Sequence, residues 1–188
     1  SVAQSKNLAA NSSFECAVVP GYPDRWTSLF RPGGPERLTG GTEPALTMDE
    51  QVAYEGAHSL RLRGFHQFFS APSRNDRGTP ADPDKAHVLS VYAKADRDDV
   101  ECWLRIDGDG ANEWTKFKVG TVWKRYHAVG KPHPKGRTAH MSFRTEGAIN
   151  TPWEEAPTVW IDAVQYEEGT TPTDYTRDTY RPEAGGKQ

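Results

Sequence analysis

The sequence predicts an all-β protein, a β-sandwich jelly roll of two antiparallel sheets. Helical periodicity is nearly absent, because 17 Gly and 14 Pro among 188 residues interrupt each window before an i, i+3, i+4, i+7 stripe can build. Short runs with period-two alternation recur instead, and they are rich in Val, Ile, Thr and aromatic residues. Turn-forming residues separate these runs at regular intervals, which is the pattern of a sandwich or jelly roll. One domain accommodates the whole length.

Strands are expected at residues 45–52, 59–65, 87–95, 100–107, 114–119, 121–129, 138–145 and 158–167. Residues 22–42 and 70–85 carry the Pro, Gly and Asp of long loops. Alternation assigns faces within the strands. In HVLSVYAKA, Leu89, Val91 and Ala93 share one side, and Ser90, Tyr92 and Lys94 the other. In VECWLRID, Cys102, Leu104 and Ile106 oppose Glu101, Trp103 and Arg105, and in TAHMSFRT, Met141 and Phe143 oppose His140, Ser142 and Arg144. Each strand thus pairs an aliphatic inner side with an outer side that is aromatic and basic.

An outward Trp flanked by Tyr, Arg and His suits a sugar. The C–H face of a pyranose packs on an aromatic plane, and its hydroxyls need donors and acceptors at the edges. The expected plane is Tyr92 and Trp103, with hydrogen bonds from Glu101, Arg105, His140, Arg144 and Gln165. The outward bases Lys94, Arg105, Lys116, Lys118 and Arg144 point towards an acidic glycan, since the guanidinium fork matches carboxylate or sulfate. Against this stands a one-residue register slip, which would send Trp103 into the core, or a long loop covering it.

The remaining aromatics divide into packing and loop positions. Trp26 lies in the first long loop and Trp123 opens a strand, while Phe68 and Phe69 are expected to form satellite core. Trp114 and Trp153 either cap the ends of the sandwich or line a second site. Cys16 and Cys102 are either one disulfide or two buried thiols. The acidic turn DGDGANE, with Asp107, Asp109, Asn112 and Glu113, lacks the EF-hand spacing and reads equally as a hairpin turn.

The order and spacing of NLAANSSFE, AYEGAHSLRL, VLSVYAKA, TVWKRY and WIDAVQYEEGTTPTDY resemble the carbohydrate-binding modules of families four, nine and twenty-two, which are galactose-binding-like jelly rolls. The likeness covers residues 7–175. It implies a sugar site, no catalytic activity, an attached carbohydrate-active enzyme as partner, a structural Ca²⁺, and packing of Trp26 and Trp123 against the sandwich. By motif position the resemblance assigns Glu15, Glu55 and Asp162 as carboxylate ligands, and Ser13 and His58 as main-chain ligands. Where that family often has a second acid after the Asp, this chain has Ala163. An ionised Asp162 in a half-buried strand needs some such compensation, whether a cation, backbone N–H groups or an Arg.

Several classes of function are disfavoured. The net charge of −3 gives no global case for nucleic acid or an anionic membrane. No apolar run approaches the ~18 residues of a membrane helix, and SVAQSK has no apolar signal core. The acidic pairs Glu154–Glu155 and Glu167–Glu168 are adjacent, so in a strand they face opposite ways and cannot flank one glycosidic bond. No nucleophile elbow, phosphate loop or HExxH motif is present. The expectation is a secreted, non-enzymatic module over residues 1–176, with 177–188 as a tail or linker. The alternatives are a protein-interaction module on the same sandwich and a small polysaccharide lyase using His140 or Tyr92 as base.

Overall fold

A computed structural model describes residues 6–28, 45–64, 67–70, 78–107, 112–138, 140–146 and 152–182. Among them the strands are β1 (Trp26–Ser28), β2 (Leu46–Asp49), β3 (Ser59–Arg63), β4 (Gln67–Ser70), β5 (Thr79–Pro80), β6 (His87–Ala95), β7 (Val100–Ile106), β8 (Thr115–Val119), β9 (Lys124–Gly130), β10 (Arg137–Thr138), β11 (Met141–Thr145) and β12 (Thr158–Glu168). None of the described residues is helical, and no helix is long and apolar enough to cross a membrane.

Two antiparallel five-stranded sheets result. The first has the order β1–β4–β11–β7–β8 and the second β2–β3–β12–β6–β9, with a separate β5–β10 pair. Their inner faces meet as expected from alternation. Leu89, Val91 and Ala93 of β6, with Leu60, Leu62, Val159 and Ile161, pack against Cys102, Leu104 and Ile106 of β7 and Met141 and Phe143 of β11 in one buried cluster. The outer faces of β6 and β7 therefore point away from each other.

Each expected strand has a counterpart, with two shifts. The run at 121–129 becomes β9, starting at Lys124, and the run at 138–145 splits into β10 and β11. The stretch 22–42 contains β1, whose three residues pair with β4. Three residues are too few for alternation to reveal, so only the partner strand defines it. The stretch 70–85 likewise contains the two-residue β5. Residues 29–44, 71–77, 108–111 and 147–151 lie outside the described residues, as do the side chains of Phe68 and Phe69.

The chain ends are joined. Asn7 donates to Val164 O at 2.8 Å and Thr176 O at 3.0 Å. The Asp178 carboxylate accepts from Asn11 N at 2.9 Å and Ser12 N at 2.8 Å. Tyr175 shares a hydrogen bond with Ser12 at 2.8 Å. The boundary expected after Thr176 falls within this packed segment, because Arg177 and Asp178 are held by partners on the sandwich.

Cys16 and Cys102 are both free thiols. Cys102 lies in the core, where burial pushes its thiol far above the ordinary range.

Candidate functional site

On the outer face of the first sheet, Trp103 of β7 sits between Arg144 of β11 and Lys116 of β8, which are its cross-strand neighbours. The half-buried indole is flanked by the Arg144 guanidinium at 5.2 Å and the Lys116 ammonium at 5.9 Å from ring centroids. Lys116 also pairs with Glu101 at 2.7 Å. One step along the strand, Arg105 stacks over Trp114 at 4.6 Å. Such contacts hold the planar groups in place at about 0.5–1 kcal/mol each where solvent reaches them. The result is an aromatic plane bordered by three cations and one carboxylate. The register leaves Trp103 outside the core cluster, while Arg105 Nε and Arg144 Nε on the same face are buried.

His140 precedes β11 in the same sheet, and its Nδ1 lies 3.1 Å from Ser70 O of β4. Glu101, Trp103, Arg105, His140 and Arg144 are therefore brought to one sheet. Tyr92 and Gln165 are not. Both belong to the second sheet, on the opposite outer face, so Tyr92 and Trp103 do not form one plane. The same geometry separates Lys94, which lies over Trp160 at 5.6 Å. Gln165 is wholly buried beneath the C-terminal segment, accepting from Thr176 N at 2.7 Å and donating to Thr173. Its position makes it a clamp on the tail rather than a surface group.

Tyr92 stacks on Tyr54, with centroids 3.7 Å apart, and Arg125 lies 5.6 Å over Tyr92. Tyr54 was outside the expected site, and its only signal was an aromatic residue in the turn AYEG. Trp26 packs as expected, edge-on to Phe14 at 5.5 Å. Trp153 is buried under Arg63, which takes the capping alternative for that residue. Trp123 packs on Tyr54 at 5.8 Å. Asn112 of the acidic turn bridges strand ends, donating to Ile106 O at 3.0 Å and Lys131 O at 2.7 Å.

The acids assigned by resemblance to a metal surround the loop at residues 54–58. A bulge in β12 between Asp162 and Gln165, with Ala163 at φ 47°, turns Asp162 towards that loop. Asp162 is fully buried and accepts from Tyr54 N at 2.8 Å, Glu55 N at 2.9 Å and Ala163 N at 2.6 Å. Glu15 accepts from Ala57 N at 2.9 Å and His58 N at 3.0 Å, and its second oxygen meets His58 Nδ1 at 3.0 Å. Glu55 pairs outward with Arg177 at 3.2 Å. Ser13 is buried beside Tyr175. These oxygens face N–H donors rather than one another. Among the described residues no group of three His, Cys, Asp or Glu side chains is placed to hold a metal ion.

Gly56 makes this arrangement possible. Its φ is +68°, and a Cβ there would meet the Glu15 carboxylate, with Cδ at 2.8 Å. Gly56→Ala is expected to lower stability by about 1–3 kcal/mol, from backbone strain plus displacement of Glu15. Urea denaturation of both proteins checks this, and an unchanged midpoint would show that the loop is free to rearrange.

The fold is a β-sandwich jelly roll of the kind seen in solved carbohydrate-binding modules. Among solved structures it is similar to TmCBM61, determined in complex with β-1,4-galactotriose, at 14% identity over 88% of this chain and 100% of that chain, with a TM-score of 0.60. It is also similar to part of the arabinose-bound α-L-arabinofuranosidase MgGH51, at 13% identity over 88% of this chain and 27% of that one, with a TM-score of 0.57. A third likeness is to part of an exo-β-agarase, at 12% identity over 85% of this chain and 25% of that one, with a TM-score of 0.54. The chain thus spans about a quarter of these two enzymes. No family model matches the sequence, and no curated protein matches it. At these identities the likeness is one of fold.

Proposed function

We propose that this protein is a non-catalytic carbohydrate-binding module whose polysaccharide site is the outer face of the β1–β4–β11–β7–β8 sheet. The observation that carries the reading is the half-buried Trp103 plane, set between Arg144 and Lys116 on a face that is not part of the core. Trp103 stacks on the C–H face of a sugar, while Arg105, Arg144 and Lys116 supply donors, and Glu101 and His140 complete the polar edge. Three cations around one carboxylate favour an acidic glycan, a uronate or sulfated polymer, through charge-assisted hydrogen bonds. The module acts outside the cell and holds an attached carbohydrate-active enzyme against its substrate. The occurrence of this fold within a solved arabinofuranosidase and agarase supports that role. A structural Ca²⁺ would have to displace the N–H groups now facing Asp162 and Glu15.

Affinity electrophoresis tests the reading. Gels containing polygalacturonate or dextran sulfate are expected to retard the protein more than gels containing β-1,4-galactan or xylan. Retardation is expected to fade as salt approaches about 1 M, where the Debye length is ~3 Å. Equal, salt-independent retardation by neutral polymers would remove the acidic preference. If none of the polymers retards the protein, the glycan reading fails and a protein-interaction module becomes the better account.

A further inference from the structure

A concave feature lies at the C-terminal end of β8, where Lys118 stands across from Glu101, and Trp103 is not among its lining residues. It is an open cleft of ≈ 560 Å³ where the outermost strands of the two sheets, β8 and β9, meet beside the β6–β7 turn. Trp123 and Tyr126 supply its aromatic surface, and Asp98, Asp99, Lys118 and Lys124 its charged groups. This volume lies within the range of small-ligand sites, roughly 300–1,000 Å³, where a few polar groups converge on apolar walls.

Three details show how its groups are set. Trp123 leans on Tyr54 at 5.8 Å with the rings tilted by 58°, and Tyr54 is itself stacked on Tyr92. The indole is therefore supported from the outer face of the second sheet while it also borders the cleft. Lys118 and Asp99 are 3.8 Å apart, so donor and acceptor stand side by side at the rim. The Asp98 carboxylate reaches over Gly120, where even a methyl group would approach its oxygen at 3.1 Å. Glycine at that position lets the acid lie close to the backbone.

The chemistry differs from that of the Trp103 face. Two carboxylates balance two ammonium groups, which gives no net attraction for a charged polymer. Paired acceptors and donors beside aromatic rings do suit a neutral polyhydroxylated ring, whose vicinal hydroxyls donate to a carboxylate and accept from an ammonium. We propose that this cleft is a second saccharide site, which binds a neutral pyranose unit through Trp123, Tyr126, Asp98 and Lys124, independently of the Trp103 face.

The test is ¹H–¹⁵N NMR of the full chain titrated with β-1,4-galactotriose, cellotriose, xylotriose and mannotriose at millimolar concentration. At least one of these is expected to move the Trp123 indole N–H and the amides of Asp98, Asp99 and Gly120 saturably. Asp98→Asn and Lys124→Gln, both surface changes, are expected to weaken that binding about tenfold, and Trp123→Ala to abolish it. The shifts should persist unchanged in Trp103→Ala. The proposal is overturned if none of the four sugars moves these signals, if Asp98→Asn and Lys124→Gln leave the affinity intact, or if Trp103→Ala removes the response. Failure of the Trp103 face to bind acidic polymers would leave this titration unaffected, so the two readings fail separately.

Discussion

Trp103→Ala is expected to weaken retention by an acidic polysaccharide by roughly 30-fold or more, about 2 kcal/mol, which is the scale of an aromatic anchor at the centre of a binding surface. The substitution removes the plane on which a pyranose ring stacks, and it also releases Arg144 and Lys116 from the ring that holds them. Thermal stability should change by a few degrees at most, because Trp103 lies outside the core cluster formed by its neighbours Cys102 and Leu104. Affinity electrophoresis read beside a melting curve checks both halves. Full retention by the variant would place the glycan elsewhere. A large fall in melting temperature would show that the indole supports the sheet instead. Arg105→Ala and Arg144→Ala should each reduce retention less, since each removes one polar contact and leaves the plane.

Asp162→Ala is expected to produce the largest loss of stability. The carboxylate accepts from Tyr54, Glu55 and Ala163 N–H groups, and it ties the 54–58 loop to β12. Each donor left without an acceptor costs about 1–3 kcal/mol, partly offset by no longer burying a carboxylate. The net expectation is about 2–4 kcal/mol, or a fall of roughly 5–15 °C in melting temperature for a chain of this size.

The pH dependence separates this hydrogen-bonded arrangement from a calcium site. Burial pushes the Asp162 carboxyl up to about 7 against the lowering effect of its three N–H donors, with Glu15 adding to the rise. The folded protein therefore holds a proton that the unfolded chain gives up near pH 4. Without a metal, Asp162 should make stability fall as pH rises from about 4 to 7, and Asp162→Asn should flatten that slope. A bound Ca²⁺ would favour the ionised form and reverse the sign. Melting temperatures at pH 5 and 8, with EDTA and with added calcium, distinguish the two. Stabilisation by calcium at pH 8 that is lost in Asp162→Ala would establish the cation.

Strand positions and faces were legible because alternation is local. The pattern of HVLSVYAKA, VECWLRID and MSFRT is enough to turn Leu89, Leu104 and Phe143 inward and Trp103, Arg105 and Arg144 outward. Alternation says nothing about which sheet a strand joins. Tyr92 and Trp103 share the same outward parity, yet they stand on opposite sides of the sandwich, because β6 pairs with β12 and β9 while β7 pairs with β11 and β8. Gln165 was misplaced for a related reason. Its strand position is outward, but the returning segment at residues 173–176 covers it, a contact between distant parts of the surface that no local pattern encodes.

The partners of Asp162 illustrate the division. Its apolar neighbours Ile161 and Val164 already required that the carboxylate be compensated. Which groups compensate it was settled by a bulge at Ala163 and by a loop more than a hundred residues away. The sequence alone determined the all-β class, the order of the principal strands and the chemistry each strand presents outward, since these follow from periodicity and turn residues within a few positions. Tertiary structure decided which outward residues share a face, where the cleft at Trp123 opens and what satisfies the buried acid. Those outcomes depend on pairing between segments far apart in the chain, whose register is fixed by burying two inner faces against each other.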